Sequence, residues 1–153
     1  MSSPLEARIQ EFEDHRAITE LKARYCNAVD GGWGKLPNDA DTVVELFVEE
    51  GIWEIAPHGP GGKGHAGIRA AIAQFAAVPF IIHNVMNPLI RIDGDRATGQ
   101  WHACFCMSEP ANPAAYALSF AIYEDEFVRT ATGWKFAALR VTPAASVPLA
   151  TRP

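Results

Sequence analysis

The fold class this sequence predicts is α+β, with helices covering one face of a curved antiparallel sheet. Apolar residues recur at helical spacing through the first half of the chain. From Phe80 onward the pattern changes to β-favouring runs separated by turn signals. Helices first and a meander afterwards segregate the two kinds of element, which is the α+β arrangement.

Ser3-Pro4 opens a first helix, because proline at a first turn gives up no hydrogen bond. It is expected from about Leu5 to Asp14. A second helix spans Ala17–Val29, where Ile18, Leu21, Tyr25 and Val29 form one inward stripe. Gly31-Gly32 stop it. Asn38 or Asp39 caps a third, short helix through Phe47. Gly51–Ala56 alternates and reads as a strand. His58–Gly64 reads as a loop; Lys63 is followed by glycine, so it is not a phosphate-binding loop. A fourth helix, from about Gly67 to Ala77, carries Ile68, Ile72 and Phe75.

Phe80–Ile92 reads as one strand, bent at Pro88, which cannot donate to a ladder. Asp93-Gly94-Asp95 is a hairpin turn, and Arg96–Met107 is the returning strand. Ser108–Ala114, with Pro110 and Pro113, reads as a loop. Tyr116–Arg129 and Gly133–Thr142 make a second hairpin around Thr130–Thr132. Residues 1–143 are therefore read as a single domain, and 144–153 as an Ala/Pro-rich tail, extended or disordered.

At 153 residues the chain suffices for one well-buried core. Its 48% hydrophobic and 20% charged residues are those of a soluble globular protein. A net charge of −5, with no basic run, argues against nucleic acid and anionic membranes as partners. The amino terminus reads as acidic and helical, with no apolar core of signal-peptide type, and no window approaches the roughly 18 apolar residues of a membrane span. Cys26, Cys104 and Cys106 are odd in number, which points to a reducing cytoplasm rather than a disulfide framework. Cys104 and Cys106 share one side of a strand, but nothing at metal-ligand spacing completes a site.

Asp30 has the most to explain. A carboxylate in the last turn of a helix faces the negative end of the dipole, a penalty of roughly 0.3–1 kcal/mol. It needs a compensating partner or a chemical role. The Asp93–Asp95 hairpin supplies candidates. With a two-residue loop, even positions on the returning strand share a face with odd positions on the first. His102 then lies beside His83, Val85 and Asn87, and two imidazoles and an amide look into the hollow under the helices. A one-residue bulge near Pro88 would separate them. An aspartate beside a histidine fixes its tautomer and raises its basicity. Tyr25 brings a phenol into the same interior, where a buried hydroxyl needs a partner.

Several of these features together resemble one superfamily. They are the run Ala17–Tyr25 (AITELKARY), Asp30, Leu46-Phe47, His83 with Asn87, Gly94–Ala97, and Tyr123–Asp125 through Gly133-Trp134. From roughly Ile9 to Val141 the chain resembles the SnoaL-like branch of the NTF2-like, cystatin-like cone superfamily. That scaffold hosts several chemistries and non-enzymatic modules, so the likeness speaks first to fold. Within it the likeness is to the scytalone dehydratases, bile acid 7α-dehydratases and hexachlorocyclohexane dehydrochlorinases, lyases that need no cofactor. Asp30 and His83 match their His–Asp pair. His102 matches a second histidine of the first group, and Tyr25 a tyrosine of the second. Val29 departs from a tyrosine of the first group, and Ala121 and Tyr123 fall near its serine and asparagine.

The resemblance implies a cofactor-independent lyase acting on a small apolar ring compound that bears a carbonyl. His83, oriented by Asp30, would take a proton next to the carbonyl, and Tyr25 would hydrogen-bond the developing enolate. His102 would protonate or orient the departing hydroxyl. Trp53, Trp101, Met86, Asn87, Phe105 and Tyr123 are the expected substrate contacts, and no metal is expected. The alternatives are an isomerase of ketosteroid-isomerase type and a non-catalytic binding module. Strands apolar at both parities imply a sheet face buried between subunits, with Trp101, Ala103, Phe105 and Met107 on the side away from His102. The resemblance favours a trimer, with a dimer as the other form.

Overall fold

A computed structural model describes residues 3–34, 39–109 and 111–149. The two helices expected at the amino terminus are one, α1, Pro4–Val29. Ser3 caps it by accepting the Glu6 N–H, and the Glu6 carboxylate accepts the Ser3 N–H in return. Nothing between Asp14 and Ala17 breaks the helix, and Asp14 turns inward. Its carboxylate takes both Arg129 nitrogens at 2.6 Å, the Trp134 indole at 3.0 Å and the Gln10 amide at 3.1 Å.

Helix α2, Ala40–Glu45, is capped by Asp39, which accepts the Thr42 N–H; the alternative cap, Asn38, lies outside the described residues. Strand β1, Phe47–Ile55, begins earlier than its alternation indicates. Within the glycine run expected as a loop, Gly61–Lys63 pairs antiparallel with β1 as β2, and α3, Gly64–Ala73, follows at once. The long strands are β3 (Ile81–Asp93), β4 (Arg96–Glu109), β5 (Asn112–Thr130) and β6 (Gly133–Leu149). The loop expected at Ser108–Ala114 is largely absorbed into β4 and β5, and Pro110 lies outside the described residues.

The sheet order is β2-β1-β6-β5-β4-β3, antiparallel except where β1 meets β6. It is curved and unclosed, with the helices on one face: an NTF2-like, cystatin-like fold. Phe47, Phe127 and Phe136 stack under α1, with Ile18, Leu21, Trp101 and Leu139 buried around them. Residues 144–149, expected as part of a tail, continue β6 and pair with β5 as far as Leu149; residues 150–153 lie outside the described residues. The prolines fit there because β1 leaves β6 at Val141, so one edge is free beyond that point. Pro143 itself sits at a register shift.

The β3–β4 hairpin starts as expected, with a two-residue Gly94-Asp95 loop and Asp93 opposite Arg96. The register holds to Leu89 opposite Gln100, then slips by one residue, so that Met86 faces His102 and His83 faces Phe105. Asn87 adopts a left-handed φ of 55° at the slip, beside the proline that cannot donate. The inward side of β3 thereby changes from even positions (Ile90, Ile92) to odd ones (Ile81, His83, Val85).

Candidate active site

At the end of α1 the Asp30 backbone turns extended, and the N–H groups of Gly31 and Gly32 both donate to the Ile81 carbonyl, at 2.9 and 3.1 Å. Gly32 packs directly against the Ile82 and Phe80 side chains, leaving no room for a side chain of its own. The helix end is thus docked onto the free edge of β3. Asp30 caps that edge. Its Oδ1 accepts the His83 backbone N–H at 2.9 Å and lies 2.7 Å from His83 Nδ1, while its Oδ2 accepts the Trp33 indole N–H at 2.9 Å. The carboxylate and imidazole side chains are 2% and 8% exposed, so the pair is shielded from water. Three donors supply the compensation that a carboxylate at a helix C-terminus requires. Against an acceptor-only carboxylate, Nδ1 carries the proton and Nε2 the lone pair, as the hydrogen-bond network assigns it.

The His83 ring lies 5.3 Å from that of Phe105, and Phe105 lines an apolar cavity of about 380 Å³. Tyr25, Trp53, Phe75, Tyr123 and Val141 make up much of its wall. The Trp53 indole donates to the Tyr25 hydroxyl at 2.7 Å, so the phenol's own proton points elsewhere. Burial pushes both the Tyr25 and the Tyr123 phenol well above the usual range, which keeps them as protonated donors. Pro143–Ser146 close one side, and the Ser119 and Ser146 hydroxyls hydrogen-bond there at 2.9 Å. The run that reads as a tail is therefore cavity wall.

Of the residues expected at the site, Asp30 and His83 come together, and Tyr25, Trp53, Phe105 and Tyr123 line the adjoining cavity. His102, Met86 and Asn87 do not. All three lie on the outer face, His102 by the unbroken alternation of β4 and Met86 by the bulge in β3; there Met86 is 42% exposed and the Asn87 amide donates to His102 Nδ1 at 3.3 Å. The two-histidine arrangement is thereby corrected. The same parity turns Trp101, Ala103, Phe105 and Met107 inward, not onto an outer contact face.

Sequence reasoning passed over Lys22, Asp125 and Trp33. Lys22 Nζ lies 2.8 Å from Asp125 Oδ2, with side chains 1% and 0% exposed. Burial pushes the Asp125 carboxyl up to about 6 and drives the lysine down. The signal was present: Lys22 falls on the Ile18–Val29 stripe, and Asp125 alternates with Tyr123 and Phe127 on the inward side of β5. Among the described residues no group of three His, Cys, Asp or Glu side chains could hold a metal, and no helix is long and apolar enough to cross a membrane.

Comparisons agree with this architecture. No curated relative matches the chain at the level of sequence. An NTF2-like protein with a cystatin-like fold from Novosphingobium aromaticivorans is 26% identical, with a TM-score of 0.73, over 94% of this chain and 91% of its own. The hexachlorocyclohexane dehydrochlorinase LinA-type3 from Novosphingobium barchaimii superposes with a TM-score of 0.80 at 19% identity, over 95% and 96%. A scytalone dehydratase candidate from Novosphingobium aromaticivorans gives 0.75 at 17% identity, over 93% and 91%. The profile of the SnoaL-like domain matches residues 10–140, which spans α1 through most of β6. The chain therefore belongs to the SnoaL-like domain family.

Proposed function

We propose that this protein is a cofactor-independent lyase that removes water from a small cyclic hydroxy-ketone, with His83 as the base. A small-molecule lyase is the reading that the family and its dehydrochlorinase relatives support at a coarse level. The observation that carries the finer one is the 2.7 Å contact of Asp30 Oδ1 with His83 Nδ1, beside an apolar cavity with phenolic donors in its wall. Nε2 takes the proton on the carbon next to the carbonyl, and Asp30 stabilises the imidazolium that results. Tyr25 donates to the enolate oxygen, its own oxygen already satisfied by Trp53. As the double bond forms, the C–O bond breaks, and the imidazolium gives its proton to the departing hydroxide, which leaves as water.

His102 has no part in this scheme, because it lies on the other side of the sheet. The cavity volume and its aromatic walls suit a substrate of one or two rings. The odd number of cysteines, Cys26, Cys104 and Cys106, favours a reducing compartment. A panel of cyclic β-hydroxy ketones tests the reading, with the ultraviolet absorbance of a conjugated enone as the signal. Enone formation that disappears in His83→Ala is the expected result. Double-bond migration without loss of water would make the protein an isomerase, and saturable binding without any product would make it a binding module; either overturns the proposal.

A further inference from the structure

The fully buried Lys22–Asp125 pair is unexplained by the scheme above. Removing two charges from water costs several kcal/mol per ion, and an apolar pair of similar volume is often as stable or more so. Its surroundings are specific. Lys22 Nζ sits 3.4 Å from the centre of the Tyr123 ring, with Trp101 at 5.1 Å, Tyr25 at 5.4 Å and Phe136 at 5.9 Å. Asp125 pairs across the sheet with Gly99, and Trp101 with Tyr123. The Trp101 indole folds over Gly99, where any side chain would collide with it, so glycine is what lets the cage close. Asp125 Oδ1 is buried with no hydrogen-bond partner among the described residues, so the carboxylate is held by the ammonium alone. The other titratable groups at the pair are Tyr25 and Cys26 on α1 and Tyr123 on β5.

Tyr25 and Tyr123 are the two phenols of the cavity wall, and the ammonium lies directly behind one of them. We propose that Lys22 and Asp125 are positioning residues of this site, whose buried ammonium polarises the Tyr123 and Tyr25 hydroxyls toward an oxyanion held in the cavity. This rests on the reading of the phenols as oxyanion donors, and it extends that role to Tyr123. A cation on the face of a phenol ring withdraws electron density from its oxygen, which makes the hydroxyl a stronger donor. The Asp125 carboxylate, 2.8 Å away, favours the charged lysine and opposes the burial that drives it down.

The probe is 4-nitrophenol, whose phenolate absorbs visible light, titrated while bound to the whole protein. Binding to the wild type is expected to lower the pH at which it ionises. The double variant Lys22→Met/Asp125→Leu removes both charges and leaves no orphan. It is expected to remain folded and to raise the bound probe's midpoint by about one pH unit, a tenfold change in acidity. Lys22→Met alone is expected to do the same, and on a Tyr123→Phe background its effect should shrink to the smaller part carried by Tyr25. Should the double variant fail to fold, Lys22→Met with and without Tyr123→Phe decides. A wild type that leaves the probe's ionisation unmoved, or a folded Lys22→Met with an unchanged midpoint, overturns the proposal. The lyase reading fails separately: His83→Ala bears on turnover and leaves the probe's midpoint in place.

Discussion

Asp30→Asn separates the charge of the carboxylate from its shape. In the variant the amide oxygen takes the place of Oδ1, where it still accepts the His83 backbone N–H and the Nδ1 proton. The amide nitrogen then meets the Trp33 indole N–H, donor against donor. Trp33 is 60% exposed and can turn its N–H to water, so the conflict costs about one hydrogen bond, 0.5–1.5 kcal/mol. The fold and the tautomer survive; what is lost is the negative charge that stabilises the imidazolium. For unit charges about 4 Å apart at an effective dielectric near 20 that interaction is about 4 kcal/mol. Each 1.36 kcal/mol is a factor of ten, so turnover should fall by about three powers of ten. The assay is enone formation from a substrate found in the panel, with urea unfolding run in parallel. A folded variant that turns over within about threefold of wild type refutes the role of the charge. One destabilised by more than about 3 kcal/mol refutes the argument that Trp33 yields.

His102→Ala is expected to leave turnover within about twofold, measured in the same assay, because the alternation of β4 turns that ring to the outer face, away from the cavity. The face it occupies exposes Leu89, Phe120, Ile122 and Val147, so light scattering should return a mass above the 16.6 kDa of one chain, and a monomer would contradict the expected oligomer. Asp14 gives the acid dependence. Its hydrogen bonds to Arg129 hold the carboxyl at about 2, below its unfolded value, so its contribution is present above about pH 4 and lost as pH falls through 2. The loss is about 2 kcal/mol in urea unfolding, and an Asp14→Asn variant with the same acid dependence as wild type would remove Asp14 as its source.

Much of the fold is legible because periodicity reports which side of an element is buried. Ile18, Leu21, Tyr25 and Val29 read correctly as an inward stripe, and Asp93–Asp95 as a hairpin turn. Asp30 was visible as a charge in need of a partner, and its partners are there. What failed were features set by tertiary context. Pro143 and Pro148 argue against a strand unless one knows that β6 has a free edge beyond Val141. Lys22 scores as surface until the Asp125 opposite it is placed, and the two are 103 residues apart in sequence. The bulge is the deepest case, since Pro88 warned of an irregularity but could not say whether the parity would change.

That parity has a chemical consequence. In a strand one residue of slip sends every later side chain to the opposite face, and here it brings His83 inward beside Phe105, while the unbroken alternation of β4 keeps His102 outside. A site with two imidazoles could take a proton on one side of a substrate and deliver it on the other. With His83 the one histidine facing inward among those of β3 and β4, the proposed scheme has the ring that removes the proton also return it. Both transfers then happen at the same face of the substrate, within reach of a single Nε2. The leaving hydroxyl must lie on the side from which the proton was taken, so the scheme is a syn elimination. In that scheme the phenols of the cavity wall hold the oxygen while the ring passes the proton across. A bulge that looks like an interruption of the sheet thus brings one imidazole inward without the second, and with it the stereochemistry that the proposed scheme predicts.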